Sequence, residues 1–194
     1  MPVLRSAAAL VVAAASAALL AGGCSSPPAL GESGVGVLTD VLTDPTATAV
    51  VRVAPVAGSG VEGRVTFAQF GSVVVVRAQL FGLTPGRAYG LHVHERGDCR
   101  SADGTAAGGH FNPAGAPHGR PGRGAHHAGD LPNLHAEGEG AVNYAYETSA
   151  ISITGGPTSV IGRSIIVSRD ADDHRTQPDG NSGPPLACGF IRLS

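Results

Sequence analysis

The sequence predicts an all-β domain, an antiparallel sandwich or barrel of short strands, and three observations predict it. Gly 29 and Pro 14 among 194 residues supply turns and interrupt helices. β-Branched runs recur at hairpin spacing between those residues. No apolar stripe of helical period persists for several turns. In chain order, strands are expected at 49–53, 63–67 and 73–80, each bounded by Gly or Pro, then at 89–95, 141–147, 160–168 and 187–193. Two long connections are left, at about 96–139 and 169–186. Connections of that length in a compact domain usually carry function.

Composition narrows the function classes. With 42% hydrophobic and 14% charged residues the chain is not a disordered one. The net charge is -2, the basic residues are all Arg, and no run of them marks a nucleic-acid partner. The apolar run 7–21 follows Arg5 and stops at Gly22-Gly23-Cys24, short for a membrane span but suited to an export signal. Leu19-Leu20-Ala21-Gly22-Gly23-Cys24 resembles the bacterial lipobox, with Ala21 where that motif favours Leu. Cys24 would then be acylated after cleavage and hold the protein at the cell membrane as a lipoprotein. An ordinary secretory signal with an incidental Cys is the alternative, and both place the folded part outside the cytoplasm. Residues 25–47, rich in Ser, Pro, Gly and Thr, read as a tether. The expected organisation is a leader at 1–24, a tether at 25–47 and one domain at 48–194.

With Cys24 set aside, Cys99 and Cys188 remain as an even pair in a compartment where disulfides persist. Closing a loop that long would contribute on the order of 4 kcal/mol where geometry permits the bond.

Seven of the eight histidines fall between 92 and 135. His92 and His94 are two apart on an expected strand, so both leave one face while Leu91 and Val93 take the other. His110, His118, His127 and Asp130 add three imidazoles and a carboxylate from one Gly-rich connection, a set suited to a closed tetrahedral zinc site. A connection with so little apolar content would be ordered by the metal it binds. Spacing alone does not decide between His126 and His127. His135 and His174 are expected to be surface or hydrogen-bonding residues.

The segments 90–98 (Gly-Leu-His-Val-His-Glu-Arg-Gly-Asp), 107–113 and 127–133 resemble the copper/zinc superoxide dismutases, particularly the exported bacterial type. Segments 160–167, 171–173, 180–183 and 186–189 extend the resemblance in the same order to the C-terminus. It implies an eight-stranded Greek-key β-barrel, an immunoglobulin-like sandwich, with two metals held outside it under long metal-binding and electrostatic loops. Position by position it implies copper ligands at His92, His94 and His110, and zinc ligands at His110, His118, His127 and Asp130. His110 bridges the metals and takes the catalytic role of carrying a proton to reduced oxygen. Asp172 becomes the carboxylate that hydrogen-bonds one ligand histidine of each metal, and Cys99 and Cys188 the disulfide that anchors the metal loop. Dimer surfaces vary within the family, so a homodimer is among the assemblies allowed.

Two departures fall on the copper half. Ser168 stands where the family has its fourth copper histidine, and Pro185 where it has a substrate-guiding Arg. Asp179 also stands where many relatives carry a small polar residue. A neutral hydroxyl is a poor copper ligand, and loss of a guanidinium weakens the steering of an anionic substrate. Arg169 and Arg175 lie on the same loop as candidates to compensate. Two readings follow. One is a superoxide dismutase of reduced activity, converting superoxide to oxygen and hydrogen peroxide at copper beside a structural zinc. The other is a non-catalytic lipoprotein that binds zinc and copper for structure or metal buffering.

Overall fold

The computed structural model describes residues 44–194, so the expectations for the leader, for Cys24 and for most of the tether fall outside the described residues. Nine strands follow in order: β1 (Ala47–Pro55), β2 (Glu62–Phe70), β3 (Val73–Phe81), β4 (Ala88–His94), β5 (Asp130–His135), β6 (Val142–Thr148), β7 (Ser164–Ser168), β8 (Pro185–Phe190) and β9 (Arg192–Leu193). Their spatial order is β5-β4-β7-β8-β1-β2-β3-β6, with β9 beside β1. All pairings are antiparallel. β3 neighbours β6 rather than β4, so the chain crosses between the β1-β2-β3-β6 half and the β5-β4-β7-β8 half in the Greek-key manner. The all-β, nearly closed antiparallel barrel agrees with the expected class.

The alternation that marks the strands also builds the core. On β3, Val74, Val76, Ala78 and Leu80 are buried while Arg77 and Gln79 face out. Phe67, Leu91, Leu131, Leu134 and Ile165 meet these from the other strands. Each such fully buried side chain contributes roughly 1.5–3 kcal/mol. A polar plug closes one end: the buried Gln69 Oε1 accepts the N–H groups of Ile153 (2.6 Å) and Thr154 (3.1 Å), tying the β6–β7 connection over the core. The core residues and both bridge cysteines all lie between Ala47 and Ile191, so residues 44–194 carry a core of their own and fold as a unit.

Three local differences from the sequence expectations have physical causes. The connection 96–139 contains a strand, β5, which Asp130, Pro132 and Asn133 conceal by their low strand propensity. β5 ends the strand order, where a proline costs no ladder bond, and the register slips beside it between Tyr89 and Leu91. The run at 160–168 becomes a strand only from Ser164, because Gly162 turns the chain with φ 82. The run at 187–193 divides at Ile191, whose N–H bonds to Arg163 O, and the chain moves from lying between β7 and the end of β1 to pairing with the middle of β1.

Candidate metal centre

β4 presents Leu91 and Val93 to the core and His92 and His94 to the opposite side, where the 95–129 connection covers them. That connection is stitched to β4 by backbone bonds. Val93 N–H donates to Gly129 O (2.9 Å), Phe111 N–H donates to Val93 O (2.8 Å) and Gly129 N–H donates to Phe111 O (2.8 Å). A side chain at Gly129 would collide with Val93 O and Phe111 N, so this close approach requires glycine. His110 is thereby bridged to His94 on the strand. The Cys99–Cys188 disulfide, with Cα atoms 5.7 Å apart, pins the same connection to β8 within a small apolar cluster with Val56, Ala107 and Ile166.

Two groups of donor atoms result. His110, His118, His127 and Asp130 place one ligand atom each within 4.8 Å of one another, and so do His92, His94 and His110. Around Asp130, His110 Nδ1 lies 2.9 Å and His127 Nδ1 3.3 Å from Oδ1, and His118 Nδ1 lies 3.1 Å from Oδ2. Tetrahedral ligands at about 2.0 Å from zinc stand about 3.3 Å from each other, so the spacing fits. His110 stacks on His92 with ring centroids 3.8 Å apart and belongs to both groups.

Hydrogen bonds set which nitrogen of each ring is free. His92 Nε2 donates to Asp172 Oδ2 (3.0 Å), His118 Nε2 to Asp172 Oδ1 (2.9 Å) and His94 Nδ1 to the Gly108 carbonyl (2.9 Å). A neutral imidazole that donates from one nitrogen carries a lone pair on the other. Those others, His92 Nδ1, His94 Nε2 and His118 Nδ1, are buried without a hydrogen-bond partner, as is His127 Nδ1. Such orphaned buried nitrogens cost roughly 1–3 kcal/mol each unless something binds them. They are the donors a zinc or copper ion needs, and the residues therefore fit both metals.

Electrostatics keep the donors ready. Burial, and then the neighbouring His110, lower His92 to about 4 and His94 to about 3, so both rings are neutral at neutral pH. Burial also lowers His127. Burial works to raise Asp130, but hydrogen bonding and charge from His110, with the His127 N–H, outweigh it and hold the carboxyl at about 2. Asp172 is likewise held below the usual carboxylate range, burial being outweighed by hydrogen bonds from His92, His174 and His118. Asp172 is fixed in turn by Asn133, which accepts its N–H and donates to its carbonyl, each at 2.9 Å. Gly180, at φ +65, lies against the Asp172 carboxylate and His118 Nε2 with no room for a side chain.

The remaining residues sort clearly. His126 bonds Gly124 O (3.0 Å) and stays outside both groups. His135 is exposed, and His174 gives its N–H to Asp172 Oδ1 (2.6 Å). Ser168 and Pro185 face each other across β7 and β8, both buried, and both line a cavity of about 430 Å³ that also reaches His94 and His110. Asp179, Asp103 and Glu95 supply carboxylates to its wall, and no Arg among the described residues lines it. Arg169 binds Asp170 Oδ2 at 2.7 Å, and Arg175 is exposed, and neither lines that wall. Sequence reasoning missed Asn133 as the support of Asp172. It also missed Gln177, whose amide accepts from His118 N–H (2.8 Å) and donates to His118 O (2.9 Å). A lone amide, whether on β5 like Asn133 or in a loop like Gln177, carries no periodic or spacing signal of its own.

The family model described as copper/zinc superoxide dismutase matches residues 61–191. The chain is 41% identical over 150 residues to a copper chaperone for superoxide dismutase of Rattus norvegicus, covering 73% of this chain and 53% of that protein. It thus spans about half the length of that relative. It is 39% identical over 153 residues to a Cu-Zn superoxide dismutase of Caulobacter vibrioides, covering 75% of this chain and 85% of the relative. A Cu-Zn superoxide dismutase of Paramecium bursaria Chlorella virus 1 is 38% identical over 138 residues, covering 68% and 72%.

Proposed function

This chain belongs to the copper/zinc superoxide dismutase family, and we propose that it is an exported dismutase of reduced activity, holding a structural zinc beside a copper site of three imidazoles. The observation that carries this reading is the pair of orphaned nitrogens, His92 Nδ1 and His94 Nε2, grouped with His110. Zinc would be held by His110, His118, His127 and Asp130, and copper by His92, His94 and His110. Bound copper supplies one-electron chemistry, which turns two superoxide ions and two protons into oxygen and hydrogen peroxide.

The chain's own residues do the rest. Asp172 holds His92 and His118 in the ligating tautomer. His110 gives Nδ1 to the Asp130 side, which leaves Nε2 as the nitrogen able to carry a proton toward the cavity. Ser168 offers only a neutral hydroxyl where a fourth imidazole would bind, and Pro185 offers no cation. Carboxylates at Glu95, Asp103 and Asp179 oppose the approach of an anion. Fewer copper donors and an acidic approach both support slow turnover. The disulfide accords with an extracytoplasmic place, and Cys24 would supply a lipid anchor.

A second reading is favoured by the same two positions and by the similarity to a protein named as a copper chaperone: the imidazoles would hold copper for buffering or delivery without turnover. Purified protein loaded with copper and zinc is compared with Ser168→His/Pro185→Arg for metal content and superoxide decay. Slow decay by the unmodified protein, accelerated in the double variant, supports the reduced dismutase. Bound copper with no decay until the double substitution supports the second reading. Decay at the family's ordinary speed without substitution would overturn the account of Ser168 and Pro185.

A further inference from the structure

The half of the barrel opposite the metal ligands carries a charge pattern that neither folding nor metal binding explains. On the outer face of β1 and β2, Arg52 is paired directly with Arg64. In the adjacent row Arg192 pairs with Val50, Val50 with Thr66 and Thr66 with Arg77, so four exposed guanidiniums share one sheet face. Like charges directly opposite on neighbouring strands oppose pairing. None of the four forms an ion pair with a carboxylate among the described residues, where the Arg–carboxylate bridges engage Arg87, Arg100 and Arg169. The carboxylates on this face, Glu62 two residues before Arg64 and Glu147 opposite Val75, are fewer than the four arginines and leave the face net positive. Between the arginines a groove of about 320 Å³ is lined by Arg64, Arg77, Thr66, Gln79 and Asn143, all able to donate hydrogen bonds to an anion. The whole chain carries a net charge of only -2, so this positive face is a local feature.

We propose that the arginine face docks the domain on an anionic phospholipid surface, with headgroup phosphates between Arg52, Arg64, Arg77 and Arg192. The face is the exposed exterior of β1, β2, β3 and β9, and β1, which contributes Arg52, is the first strand described after Cys24 in chain order. The choice of a membrane over another polyanion rests on the proposed anchor at Cys24. An anchor would hold the face near the bilayer at high effective concentration. The histidines project from β4 in the other half of the barrel, so docking would turn the metal centre away from the lipid.

Residues 44–194, which lack both Cys24 and the apolar leader, separate the face from the anchor. Their co-sedimentation with phosphatidylglycerol-containing vesicles and with pure phosphatidylcholine vesicles is measured as salt rises. The expected result is binding to the anionic vesicles alone, fading as the Debye length shrinks from about 30 to about 8 Å. Arg64→Gln/Arg77→Gln should weaken it about twenty-five-fold, roughly fivefold per guanidinium. Arg120→Gln/Arg123→Gln, an equal change of charge elsewhere, should weaken it less than about threefold. Equal binding to both vesicle types, no binding to either, or equal loss in both double variants would overturn the proposal. None of these outcomes touches acylation of Cys24, which mass measurement of the mature N-terminus tests separately. Arg64→Gln relieves the repulsion from Arg52 and all four positions are exposed, so a melting temperature at or above the parent's verifies that both double variants fold.

Discussion

Replacing Asp172 with Asn tests whether one carboxylate governs both donor groups. Oδ1 accepts from His118 Nε2 (2.9 Å) and from the His174 N–H (2.6 Å), whereas Oδ2 accepts from His92 Nε2 (3.0 Å). An Asn side chain keeps one oxygen, and the two donors at the Oδ1 position fix where that oxygen goes. The new NH2 group then faces the His92 Nε2–H. The ring relieves this by moving its proton to Nδ1, the nitrogen turned toward His94 and His110, and a protonated nitrogen cannot bind copper. Loss of such a ligand-orienting partner costs about 10–100-fold in metal affinity, or about 1.4–2.8 kcal/mol. His118 keeps its acceptor, so zinc should lose less than about tenfold. Competition titrations with chelators read the two affinities separately. Copper affinity unchanged within about twofold, or zinc weakened more than copper, would refute the argument that Asp172 sets the tautomer of His92.

Three further outcomes follow from the same geometry. In the metal-free domain, His92 near 4 and His94 near 3 refuse protons that the unfolded chain takes up at 6.5. The stability they lend is complete above pH 6.5 and is lost down to about pH 4 for His92 and about pH 3 for His94, at about 1.4 kcal/mol per pH unit for each ring; Asp130 adds a loss only below its ordinary 3.8. Thermal melts between pH 7.5 and 4.5 should therefore fall with acidification, and a flat or rising melting temperature contradicts the neutral buried rings. Cys99→Ser/Cys188→Ser opens a link spanning 89 positions and should cost about 4 kcal/mol by loop entropy; a denaturant midpoint within error of the parent's rejects that figure. His127→Ala should abolish tight zinc binding and His126→Ala should not, because only His127 aims Nδ1 at Asp130, at 3.3 Å; zinc stoichiometry by elemental analysis distinguishes them, and equal loss in both variants contradicts the placement.

Much of this architecture was legible one residue at a time. The β-branched run at 73–80 marks a strand by residue type alone, which needs no tertiary information. The side-chain period of a strand, which is two, put His92 and His94 on one face. What stayed hidden depended on partners remote in the chain. β5 has a strand-poor sequence and exists because β4 offers it an edge. Asn133 and Gln177 act through single amide contacts with Asp172 and His118.

The sequence by itself determined the fold class and the histidine-rich connection, since composition, period and residue identity are local properties; Ser168 and Pro185 drew attention only through the family resemblance. Only the tertiary structure decided that Ser168 and Pro185 face each other in one cavity walled by carboxylates, and that four arginines share the opposite sheet face. Both depend on strand register, which the chain fixes when its buried side chains find their common core.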